Sequence, residues 1–117
     1  MNLNELVVAA MSGDDLAARQ WVKDALRIGL DFSTMPFPNG MSPDALAVAA
    51  ALVELLARRQ NREPPAWVSS AGRASGPIYL LPQATSSPAL RRWCEEDSPE
   101  PLRARNVYAL RDYLRVA

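Results

Sequence analysis

Apolar side chains recur every three or four positions in several blocks of the chain, and residues that start or stop helices bracket each block. Leu3, Leu6, Val7 and Ala10 predict a short first helix over residues 2–11. Ser12-Gly13 interrupts it, and Ser12 with Asp15 reads as a capping box opening a second helix that reaches about Ile28. The apolar stripe of that helix is Ala18, Trp21, Val22, Ala25 and Ile28, and Gly29 is placed to end it. From Ala45 to Ala57 the pattern changes: in ALAVAAALVELLA, Glu54 is the only polar side chain, so this helix should be buried nearly all round. Ser42 as cap, Pro43 at the first helical position and Asp44 at the positive end mark its start. Arg58 and Arg59 fill its last turn, with Pro64-Pro65 beyond. The run falls short of the roughly 20 apolar residues a bilayer requires.

The connections carry their own signals. Leu30 to Met41 contains Phe32, Met35 and Phe37, too apolar for a solvated loop, so it is expected to lie across the core. Residues 61–77 read as a flexible connector pinned by Trp67-Val68. Ile78 to Leu81, between Pro77 and Pro82, reads as an extended segment without a sheet to join. Ser87-Pro88 opens another helix with Leu90, Trp93 and Cys94 on one face and Arg91–Glu95 and Arg92–Glu96 as exposed pairs. Ser98-Pro99 repeats the cap-then-proline device before a short turn through Leu102, and Leu110, Tyr113 and Leu114 predict a last helix. The expected architecture is all-α: a single domain over residues 1–117, about five helices around a buried central one, joined by long Pro- and Gly-containing connections.

Composition adds limits. With 49% apolar residues the chain has enough material for a core, and at 117 residues it is one domain. The net charge is zero but uneven: residues 1–57 carry three basic and seven acidic groups, and residues 58–117 carry ten and six. That is a net of −4 against +4, an asymmetry that can orient a partner and falls short of a nucleic-acid footprint. One Cys and no His exclude a disulfide framework, a Ser–His–Asp triad and a Cys–His pair, and fit a reducing cytosol. The opening residues lack a basic n-region, so no secretory leader is expected.

Candidate chemistry is sparse. Cys94 beside Leu90 and Trp93 reads as a small hydrophobe. Glu95-Glu96-Asp97 is a carboxylate cluster placed between two helices. Ser69 to Gly76 offers backbone N–H groups beside Arg73 but lacks phosphate-loop spacing and its Lys. Two arginine groups, Arg58, Arg59, Arg62 and Arg103, Arg105, Arg111, Arg115, invite a nucleic-acid reading. The connection between the second and central helices is too long for a helix-turn-helix. The segment Glu95 to Arg105 is the candidate partner-binding surface. Pro99 and Pro101 restrict its backbone, Leu102 supplies an apolar contact, and Arg103 and Arg105 can pair with carboxylates.

Several blocks carry a resemblance: Trp21 to Ala25, Ala47 to Leu56, Pro64-Pro65-Ala66-Trp67, Leu90 to Glu96 and Ser98 to Asn106. From about Leu16 onward the chain resembles a group of short bacterial proteins without an established activity. The Pro-Pro-x-Trp block and the Ser-Pro ending are similar to proteins encoded with toxin–antitoxin modules. No catalytic or binding residue follows from either likeness. The expectation is a non-enzymatic cytosolic interaction protein of antitoxin-like or regulatory type, with no cofactor and no metal. Its partner would be another protein or a second copy, not a membrane. A DNA-binding regulator using the C-terminal arginines is the alternative. A small enzyme using Cys94 or the Glu95-Glu96-Asp97 cluster comes third.

Overall fold

The computed structural model describes residues 1–116. Six helices and a two-stranded sheet follow in chain order: α1 (Leu3–Met11), α2 (Asp15–Arg27), α3 (Pro43–Arg59), α4 (Ala66–Ser70), β1 (Ile78–Tyr79), α5 (Pro88–Asp97), α6 (Glu100–Arg103) and β2 (Val107–Tyr108). Two 3-10 turns, Phe32–Thr34 and Pro82–Ser86, lie before α3 and before α5. The helix α3 is the centre, packing against α1, α4, α6, the Phe32–Thr34 turn and β2. Every residue from Ala47 to Ala57 is buried, which matches the expectation for the run Ala45 to Ala57, where Glu54 is the only polar side chain. The radius of gyration, 13.1 Å, is close to the roughly 13.4 Å expected for one domain of this length.

Helix ends show local chemistry at work. The Ser42 hydroxyl accepts from Ala45 N–H at 3.1 Å and Pro43 occupies the first turn of α3; Ser87 does the same for α5 with Leu90. At the α1–α2 junction the expected capping box does not form. Asp14 caps α2 through Ala17 N–H at 3.1 Å, while Ser12 bonds back to the Ala9 carbonyl. Gly29, at φ +76°, ends α2 with a 2.9 Å bond from Leu30 N–H to the Ala25 carbonyl, and Asn61, at φ +59°, ends α3 in the same way through Arg62 and Ala57. The α2 stripe is buried at Ala18, Trp21, Val22 and Ala25; Ile28 faces solvent because the chain has already left the helix there.

The loop after α2 crosses the core through Phe32 and Met35, but Phe37 stays 50% exposed, its ring edge-on to Trp67. Phe32 and Met35 are buried, and Gln60 holds the loop with two bonds, accepting from Phe32 N–H and donating to the Leu30 carbonyl. Within residues 61–77 the chain forms the short α4, whose Trp67 donates to the Met35 carbonyl at 2.8 Å and whose Val68 is buried.

The C-terminal third departs from the sequence reading. β1 finds a partner in β2, running parallel with Ile78 opposite Val107 and Tyr79 opposite Tyr108. No helix forms at Leu110 to Leu114; the chain makes turns there, with Leu114 at φ +60°. The guanidinium of Arg59 donates to the Tyr113 carbonyl at 2.6 Å and the Arg111 carbonyl at 3.2 Å, holding those turns against α3. Ser98 does not cap α6. Its buried hydroxyl donates to the Cys94 carbonyl and accepts from Ala109 N–H at 2.9 Å, tying the end of α5 to the chain after β2. Trp93 is 55% exposed, because the buried side of α5 runs through Leu90 and Cys94 to Ser98 and passes it by.

Candidate functional site

The segment read as a partner-binding surface is turned mostly inward. Leu102 is fully buried under α3, because the four-residue α6 uses its apolar side to close the core. The side chain of Arg105 is 12% exposed and donates to Glu54 Oε1 at 2.8 Å, to the Val68 carbonyl at 3.1 Å and to the Pro101 carbonyl at 3.2 Å. Arg103 alone of the three stands in solvent. The structure therefore does not bring Leu102, Arg103 and Arg105 together on one accessible face. It makes Arg105 a counter-ion of Glu54, the one charged residue in the buried stretch Ala47 to Ala57 of the central helix. Glu54 is also held by Arg58, which reaches Glu100 at 2.8 Å, so the cluster joins α3, α6 and the carbonyl of Val68 in α4. A carboxylate in so apolar a helix is tolerated because it is paired and hydrogen-bonded on both oxygens.

The remaining arginines are largely engaged within the chain. Arg62 pairs with Asp31 at 2.7 Å, Arg111 with Asp97 at 3.1 Å, and Arg59 binds the two carbonyls described above. Only Arg103 and Arg115 of the two arginine groups have no such partner among the described residues. Cys94 is buried, and burial first, then the nearby Asp97 and Glu95, push its thiol above the ordinary value, which disfavours the nucleophilic thiolate. The acidic cluster is split: Glu95 accepts from the Tyr79 hydroxyl, Asp97 accepts from Arg111 N–H at 2.9 Å, and Glu96 is exposed. The expected pairs Arg91–Glu95 and Arg92–Glu96 do not form; Arg91 instead donates to the carbonyls of Ala84 and Thr85 at 2.8 and 3.0 Å. In the Gly-rich stretch, Ser75 gives its N–H and hydroxyl to Asp44 at 2.9 and 3.0 Å, so those donors already hold an internal carboxylate.

A different surface stands out. The helix α1 is apolar on more than its buried side: Val8 is 67% exposed and Met11 41% exposed. Together with Val7, Met41 and Ala45 they line a groove of about 450 Å³ between α1 and the start of α3. Glu5 and Asp14 stand beside Val8 in the adjoining hollow, and the half-chain that carries this groove has the net charge of −4. The signal was present in LNELVVAAM, where Asn4 and Glu5 are the only polar residues. A helix of nine residues that packs against α2 and α3 on one side leaves part of an all-round apolar surface uncovered.

Comparison with protein-family models, with curated proteins and with solved structures gives no match.

Proposed function

We propose that the chain is a non-enzymatic partner-binding subunit, of antitoxin-like or regulatory type, that receives an apolar, basic helix of another protein in the α1–α3 groove. The exposure of Val8 and Met11 carries this reading. An apolar strip bordered by polar groups is the kind of surface that marks an interaction site, and helix-in-groove docking uses such strips. Glu5 and Asp14 favour a cationic flank on the incoming helix. The burial of Leu102 and the internal pairing of Arg105 leave the C-terminal segment with little to offer a partner, which supports the α1 reading.

The test is fluorescence anisotropy with a labelled peptide bearing Leu at helical spacing and Lys between. Saturable binding is expected, weaker at high salt and lost in the V8E/M11E double variant, with R103E unchanged. An acidic peptide of the same apolar pattern should bind far less. Equal binding of both peptides, or retained binding by V8E/M11E, overturns the proposal.

A further inference from the structure

At the opposite end of α3, whose 17 residues span roughly 25 Å, a half-enclosed cleft of about 430 Å³ opens between α2, the end of α3 and the last described turns. Its floor is apolar, formed by Leu26, Phe32, Leu56 and Leu114, and Leu26 stands 44% exposed there with no apolar cover. Its walls carry Arg58, Arg59 and Arg115, and among the described residues no carboxylate lines it. The charge of Arg58 is met by Glu54 and Glu100. That of Arg59 is not met in this way. Half-buried, it spends its hydrogen bonds on the neutral carbonyls of Tyr113 and Arg111. Burial first and then repulsion from Arg115 pull the Arg59 pKa below its ordinary value, with Asp112 opposing. Two cations thus share one concave, partly desolvated site above an apolar floor.

We propose that this cleft binds a small amphiphilic anion, with a carboxylate or phosphate head between Arg59 and Arg115 and an aliphatic or aryl body against the exposed side chain of Leu26. The volume lies within the range of small-molecule sites, roughly 300–1,000 Å³. An anionic head supplies the negative partner that neither Arg59, bonded only to neutral carbonyls, nor Arg115 has among the described residues. The apolar body covers the surface that Leu26 leaves open. Neither part of the site suffices alone, which sets the ligand class: a bare anion misses the floor, and a neutral apolar molecule misses the arginines.

Isothermal titration of the full chain with octanoate, octanol and inorganic phosphate tests this. Octanoate should bind saturably, and octanol and phosphate each at least about tenfold more weakly. Arg115→Gln and Leu26→Gln, both at exposed positions, should each weaken octanoate about tenfold. Arg103→Gln should leave it unchanged. Circular dichroism of the variants confirms that each retains the fold. Octanol equal to octanoate removes the arginines from the site, and phosphate equal to octanoate removes the floor. Binding that survives Arg115→Gln, or no saturable binding of octanoate, overturns the proposal.

Discussion

Arg105→Met gives the sharpest test of how this core tolerates a charge. The substitution keeps most of the side-chain volume and removes the guanidinium that faces Glu54. In the folded chain the side chains of the pair are only 12% and 11% exposed. Removing one partner of a buried pair costs about 3–5 kcal/mol. Arg58, half exposed, stays beside Glu54 and moderates the loss, while the carbonyls of Val68 and Pro101 lose a donor. The expected cost is about 3–4 kcal/mol. Glu54→Leu alone strands the Arg105 guanidinium against two carbonyls and should cost about as much. The double variant E54L/R105M should cost less than either single change, far from the ~7 kcal/mol of independent losses, because an apolar pair replaces an ionic one. Urea unfolding followed by far-ultraviolet circular dichroism measures all four species. Additive single costs, or an Arg105→Met loss below about 1 kcal/mol, would refute the reasoning that Glu54 and Arg105 act as one buried unit.

Three further outcomes follow from other parts of the fold. Gly13 sits at φ +75°, and an added Cβ would overlap the Pro82 ring, whereas Gly29 at φ +76° opens on free space. In urea unfolding, Gly13→Ala should therefore cost well over the about 1–2 kcal/mol expected for Gly29→Ala; equal costs would mean that the α1–α2 turn does not rest on Pro82. Burial first, then its bond to Glu95, raises the Tyr79 phenol from 10.0 to about 12. The folded value lies above the unfolded one, so the stabilisation is complete below pH 10 and is lost as pH rises toward 12. Tyr79→Phe should lose less stability across that window in alkaline melting curves, and an unchanged fall would contradict the assignment. Cys94 should react with an aromatic disulfide reagent only as fast as the chain opens, and native labelling at the denatured rate would place the thiol at the surface.

Much of the helical framework was legible because its signals are local. Ser42-Pro43 and Ser87-Pro88 announce helix starts through side chains that reach three residues along, and the apolar run to Ala57 announces burial on all sides. The same cap-then-proline pattern misled at Ser98, whose hydroxyl is taken by Cys94 and by Ala109, eleven positions away. Leu110, Tyr113 and Leu114 have helical spacing, yet Arg59 claims carbonyls there from 52 and 54 positions away. The β1–β2 pair is two residues on each side and non-local, too short for alternation to show. For the candidate site, a lone Glu54 in an apolar helix called for a cation, but nothing local points to Arg105 among the arginines. Leu102 lies in a helix of one turn, where periodicity has no room to say which side faces in.

The most direct measurement of the central claim, partner docking on α1, is a two-dimensional amide NMR titration of the full chain with the Leu/Lys helical peptide. Saturating shifts should concentrate on Glu5 to Ser12 and on Met41 to Ala45, leaving Glu100 to Arg105 unmoved. Shifts centred on α6 and Arg103, with α1 silent, would contradict the account.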